Sequence, residues 1–192
     1  MCIRDSCQAA QQWERMNDTL QRIADLETNP ERKSKYFFTM AQIYRDHLQD
    51  PERAVDLFNS ALDLNPAYLE AFERINKILT AQKDFKQLER AYRKMLHRLT
   101  SFQRDEVGTQ KKVDVLYSLW HALGLIYRDR LLEKPKAIEA FKFASGLRPN
   151  DATEHLILSE LYDDAGQLDE AASEYQAILK IDPMQVLSLI HI

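Results

Sequence analysis

The residues of this chain best suited to covalent or acid–base chemistry are few and scattered. Five histidines (His47, His97, His121, His155 and His191) and two cysteines (Cys2 and Cys7) are its imidazoles and thiols. A zinc site needs such groups at short, fixed spacing, because every ligand must reach one ion. No HExxH, CxxC or His/Cys cluster supplies that spacing. Cys7 has no neighbouring feature that would make it a nucleophile. There is no glycine-rich phosphate loop and no GxSxG elbow. The acidic pairs Asp163-Asp164 and Asp169-Glu170 could in principle share acid–base work. They fall in a turn and in a first helical turn, where carboxylates cap helices and answer the helix dipole. The expectation is a chain with no catalytic residue, no metal site and no cofactor.

Composition points to long helices. The chain has 192 residues, 45% apolar and 29% charged, yet only four glycines and six prolines. So few turn formers exclude a many-stranded sandwich or barrel and favour helices with short connections. A net charge of −4 and a pI near 5.8 give no footprint for DNA or RNA. No apolar run approaches the roughly 18 residues of a membrane span.

The two ends are expected not to be native protein. The chain begins MCIRDS and ends LSLIHI. The DNA ATG-TGT-ATA-AGA-GAC-AG encodes Met1 to Asp5, and its reverse complement encodes Leu187 to His191. One short word read in both directions explains both termini, and it resembles a transposon end used as a sequencing adapter. Residues 1–6 and 187–192 are therefore set aside as adapter-derived. On this reading the chain is a metagenomic fragment whose own sequence is residues 7–186, and neither a signal peptide nor the compartment can be read. The cytoplasm is only the default.

Prolines mark an internal repeat. Pro66, Pro149 and Pro183 close the segments SALDLNP, FASGLRP and AILKIDP, and Pro30 closes the similar ADLETNP. Pro149 and Pro183 are 34 residues apart, the period of a two-helix unit. The unit ending at Pro149 contains Trp120, Leu123, Gly124 and Tyr127, then Ala137, Phe141 and Ala144. The unit ending at Pro183 has Leu158, Tyr162, Gly166, Ala171 and Tyr175 in register, with Ile178 where a small residue is expected. The unit ending at Pro66 has Phe37, Met40, Ala41, Tyr44, Ala54, Phe58 and Ala61. This pattern, W-x2-L-G-x2-Y followed by A-x3-F-x2-A-x4-P, resembles the tetratricopeptide repeat.

The small residues are expected where the first helix of a pair (helix A) meets the second (helix B), with Gly124 facing Ala137 and Ile178 leaving the last unit's packing in doubt. Asp50-Pro51 reads as an N-cap followed by proline at the first helical position, and Pro135 as the same placement behind the poor cap Lys134. Tyr44 to Ala54 and Tyr127 to Ala137 each span ten residues, against nine from Tyr162 to Ala171. An extra residue therefore lengthens the A–B turn of two units alike.

The remaining segments read as degenerate units. Phe72, Ile75, Leu79, Phe85, Leu88, Tyr92 and Met95 recur at helical spacing, with Leu88 in place of the small alanine, which should hold that pair further apart. Trp13, Met16, Leu20 and Ile23 match the second half of that pattern. The organisation is then a lone second helix at 7–30, a repeat at 34–66, a degenerate repeat at 67–99, a loop at 100–111, and repeats at 117–149 and 152–183. Bacterial proteins built from long arrays of such units are the most similar type.

The resemblance implies an all-α, right-handed superhelical solenoid of antiparallel helix pairs, and a non-catalytic scaffold that binds a protein or peptide in a concave groove lined by helix A. The groove positions are Lys35, Phe38, Gln42, Arg45, Glu70, Glu73, Lys77, His121, Leu125, Arg128 and Glu160. His121, next to Trp120, reads as an exposed histidine, with a polar groove contact as the alternative. The Lys/Asn clamp by which some members grip a C-terminal carboxylate is replaced here by His121, Leu125 and Ile157, which argues against a chaperone adaptor. The alternative function is a regulatory or spacer segment of a larger enzyme or signalling protein. Neither the partner's identity nor the oligomeric state follows from the sequence.

Overall fold

Short polar caps and prolines set most helix starts. In this computed structural model, which describes residues 3–101 and 109–181 (side chains at 10–101 and 110–181), the described chain is helical with no strand. Residues 187–192, Pro183 and the middle of the expected loop lie outside that range, while residues 3–6 open the first helix.

The first unit contains α1 (Ile3–Leu26), α2 (Pro30–Asp46), α3 (Pro51–Leu64), α4 (Leu69–Gln82) and α5 (Phe85–Ser101). Asn29 caps α2, its Oδ1 accepting from the backbone N–H of Glu31 at 2.9 Å and of Arg32 at 3.2 Å. Pro30 therefore opens α2 as well as following α1, and the helix starts four residues before the expected 34. Asp50 caps α3 through Arg53 N–H at 3.0 Å, with Pro51 behind it.

The second unit contains α6 (Thr109–Leu125), continued by a π-helical turn (Ile126–Leu131), then α7 (Lys134–Leu147), α8 (Ala152–Asp164) and α9 (Leu168–Ile181). Thr100 and Ser101 end α5 and residues 109–111 begin α6, so the expected loop is shorter at both sides and α6 starts before 117. The residue capping α7 is Glu133, with no side-chain cap bond, and Lys134 is already helical. Asp151 caps α8, accepting from Thr153 N–H at 3.0 Å.

The extra residue in two turns has one structural solution. Asp50 N–H donates to the Tyr44 carbonyl at 2.9 Å, and Glu133 N–H to the Tyr127 carbonyl at 2.8 Å. The residues just before, Gln49 (φ 53) and Leu132 (φ 57), are left-handed. In the unit without the insertion, Gln167 N–H reaches the Tyr162 carbonyl at 2.9 Å, and the left-handed residue is Gly166 (φ 72). That shorter closure is the common glycine-type helix C-terminus. The longer one spans one more residue, and after Tyr127 it takes the π form.

Small residues form the seams inside each pair. Ala41, Ala54 and Ala61 are fully buried between α2 and α3, beside Phe58, while Ala137 and Ala144 do the same in α7 beside Phe141. A Cβ added to Gly124 would meet the Phe141 ring first, because α7 carries its aromatic side chain back over the glycine. Ile178 is 1% exposed, so the last unit packs a large side chain where its siblings use alanine. The α4–α5 pair is the least intimate of the helix pairs, as expected with Leu88 at the seam.

On α1 the buried face differs from the expected stripe. Met16 and Ile23 are 45% and 41% exposed, while Asn17 and Ala24 are buried against the following helices. The helix turns its 17/24 side to α2, which the apolar pattern of α1 alone does not specify. Trp13 instead stacks on His47 with ring centroids 3.7 Å apart.

Long-range polar contacts tie α5 to α3 in the first unit. Arg98 of α5 is buried, donating through Nε to Asp63 Oδ1 at 2.8 Å and through Nη2 to the Asn59 carbonyl and Oδ1, both at 3.0 Å. Three acceptors on α3 satisfy most of its fork.

Candidate functional site

In the first unit the groove positions fall on α2 and α4. Lys35, Glu70, Glu73 and Lys77 are exposed, and Gln42 and Arg45 are half-buried. Arg45 is committed locally, its Nε and Nη2 donating to the two oxygens of Asp46 at 2.6 and 2.8 Å. That hydrogen bond, opposed in part by burial, holds the Asp46 carboxyl below its usual range, with the charges of Arg45, His47 and Arg74 adding to it. Arg74 belongs to α4 and donates to Glu70 at 2.9 Å. Phe38 is not on this surface. It stands one turn before Ala41, is 6% exposed, and meets Phe58 edge-on at 5.3 Å and Tyr68 at 4.7 Å.

In the second unit Arg128 and Glu160 border one cleft of about 350 Å³, together with Leu132, Lys134, Leu161 and Asp164. Arg128 is held by Asp129 at 2.7 Å, which lowers the Asp129 carboxyl, and Lys134 by Asp164 at 3.1 Å. Leu125 is half-buried.

His121 has a role that its position beside Trp120 did not disclose. Its Nδ1 lies 2.6 Å from Oε1 of Glu154, a fully buried residue of α8, and Tyr117 donates its hydroxyl to the same oxygen at 2.8 Å. Burial first, then the hydrogen bond to Glu154 and its charge, pushes the Tyr117 phenol well above the usual tyrosine range. Arg148 covers the Tyr117 ring at 3.9 Å while donating to Asp114 at 2.7 Å. The pairs Tyr117/Asp151 and Arg148/Asp114 are each 34 residues apart, one repeat period, which was the available signal.

A second group has hydrolase-like order. His155 Nδ1 lies 2.6 Å from Glu174 Oε2, and its Nε2 lies 3.4 Å from Ser145 Oγ. In a serine hydrolase such a trio activates the hydroxyl beside an oxyanion hole. Here Ser145 is 8% exposed within α7, and the Pro149 carbonyl also stands 3.4 Å from Nε2. Among the described residues no group of three or more His, Cys, Asp or Glu could hold a metal ion, and no helix is long and apolar enough to cross a membrane.

The sequence model of the tetratricopeptide repeat family matches residues 34–68 and 155–183. Those two segments match the tetratricopeptide repeat. The matched segments span most of α2 with α3, and most of α8 with α9, so each matched repeat is one antiparallel pair. Among solved structures, a crystal structure of MamA protein is similar at 16% identity with a TM-score of 0.50, over 93% of this chain and 94% of that one. YrrB, described as a TPR protein with an unusual peptide-binding site, is 20% identical with a TM-score of 0.47, over 77% of this chain and 68% of that one. MamA 41-end from Desulfovibrio magneticus RS-1 is 20% identical with a TM-score of 0.40, over 92% and 97%. At 16% identity the first of these likenesses speaks for fold alone. No curated protein matches the sequence.

Proposed function

We propose that this chain is a non-catalytic scaffold whose tetratricopeptide repeats bind a peptide or protein partner along their helix A faces. The observation that carries this reading is the match of two helix pairs to an interaction repeat, with polar helix A side chains left at the surface. Lys35, Glu73 and Lys77 of the first unit, and Glu160 of the second, are exposed. Their mixed signs suit a partner with both charges rather than a polyanion. The Ser145–His155–Glu174 group is read as structural, since backbone N–H groups inside α7 are spent on the helix and leave no oxyanion donors beside Ser145.

Selection of displayed peptides on the full chain, followed by calorimetry, tests the proposal. Joint Lys35→Ala, Glu73→Ala and Lys77→Ala should weaken a selected peptide by about tenfold or more. Shortening segment 102–108 should leave the affinity nearly unchanged, because loop-closure entropy varies slowly with length. Loss of binding on shortening, with the helix variants silent, would overturn it.

A further inference from the structure

The first unit turns two rows of charge outward, one of each sign. On α3, Glu52, Asp56 and Asp63 are exposed, with the half-buried Asn59 between them. On α5, Lys86, Arg90, Arg93, Lys94 and His97 are exposed. Both rows recur every three to four residues, opposite the buried sides that carry Ala54 and Phe58 on α3, and Leu88 and Tyr92 on α5. Glu89 is the one acidic residue of α5, and its side chain is 13% exposed. Solubility is served by interspersed signs, whereas single-signed rows on neighbouring helices set up a field across the face.

The rows are joined at one end. Lys94 Nζ donates to Asp63 at 3.3 Å and Arg98 Nε donates to it at 2.8 Å. Toward the other end, Glu52, Asp56, Lys86 and Arg90 make no ion pair among the described residues. Each of α3 and α5 is the second helix of an antiparallel pair, so the two run parallel. Asp63 stands level with the turn between Lys94 and Arg98, which holds His97. The same step back along each helix brings Glu52 level with Lys86, and Asp56 level with Arg90.

This face is complementary to itself. A two-fold axis lying between α3 and α5, parallel to both, lays α3 of one copy over α5 of the other without reversing direction or changing level. Each carboxylate that has no ion pair then meets a cation that has none: Glu52 faces Lys86 and Asp56 faces Arg90, twice by symmetry. We propose that the chain associates with a second copy of itself through the α3/α5 face. A partner of single sign would match one row and oppose the other, whereas a second copy answers both. The face belongs to the second helices of the pairs, apart from the helix A faces of the proposed function. Its rows span only about 16 Å, so the dimer is weak, and its charged contacts make it sensitive to salt.

Sedimentation velocity of the full chain tests the proposal. At about 50 mM salt a dimer should grow with protein concentration, and about 500 mM salt should weaken it by about tenfold or more. Glu52→Lys with Asp56→Lys makes both rows basic, and Lys86→Glu with Arg90→Glu makes both acidic. Each variant alone should stay monomeric at low salt where the parent dimerises. An equimolar mixture should recover the parent's dimer, because the basic α3 of one variant meets the acidic α5 of the other. Should a reversed variant fail to fold, Glu52→Gln with Asp56→Asn should still raise the dissociation constant by about tenfold. The proposal is overturned by a parent that is monomeric at low salt up to about 1 mM chain. It is equally overturned by variants that dimerise alone as tightly as the parent, or by a mixture that stays monomeric.

Discussion

Gly124 lies under the ring of Phe141: a Cβ added to the glycine would stand 2.7 Å from Cε1 and Cζ of that ring. The ring cannot swing away freely, because Phe141 is fully buried and meets His121 edge-on at 5.8 Å. Even one methyl group is therefore too much. Gly124→Ala should cost about 1–3 kcal/mol by overpacking, despite the better helix propensity of alanine. Gly146 has nothing within 4 Å of the same construction, so Gly146→Ala should be neutral or stabilising by up to about 1 kcal/mol. Urea unfolding of both variants checks the contrast, and equal midpoints would refute the close approach.

Leu132 is 78% exposed and holds a left-handed backbone at φ 57. A side chain there carries a steric cost that glycine does not. Leu132→Gly should raise stability by about 0.5–1 kcal/mol, measured by thermal melting. A fall in stability would show that the exposed leucine holds the wide turn in place.

Arg98 is buried but faces Asp63, which is 53% exposed, so solvent weakens their attraction. Its bonds to Asn59 are less accessible. Arg98→Met should cost about 1–3 kcal/mol, mainly through the acceptors left unpaired on α3. Asp63→Asn should cost less than about 1 kcal/mol. If the two variants are equally destabilised, the charge pair rather than the hydrogen-bonded fork governs the contact.

Tyr117 sets an alkaline limit. Its folded phenol titrates above the unfolded value of about 10. Between those values the unfolded chain has released a proton that the folded one retains, so stability falls as pH rises. The contribution is complete below pH about 10 and is lost as pH climbs through the folded value. Tyr68, Tyr92 and Tyr175 are raised too, so the informative quantity is the difference from Tyr117→Phe. The variant should show a shallower loss of melting temperature above pH about 10. An identical slope would mean that Tyr117 ionises without opening the Glu154 contact.

What the sequence disclosed was local. Gly124, Ala54 and the Asp50-Pro51 cap declare themselves because one residue type satisfies a steric or backbone demand at one position. The same holds for the extra residue after Tyr44 and after Tyr127, visible as a change of spacing. What stayed hidden depends on how a helix is rotated against its neighbour. Met16 and Ile23 looked like the buried stripe of α1, but Asn17 and Ala24 face inward. Phe38 passed for a surface position until its contact with Phe58 placed it inside. The Arg98–Asp63 tie and the convergence of Tyr117 and His121 on Glu154 join side chains 33 to 37 residues apart, and no local pattern announces such partners.

The wide turn after Tyr44 and Tyr127 separates length from phase. Its added residue is taken up before the next helix begins, and the two alanines of that helix keep their spacing, Ala54 to Ala61 and Ala137 to Ala144. A gain or loss of one codon at this corner therefore leaves the seam intact. An array with such corners can change its repeat length during evolution without passing through an unfolded ancestor.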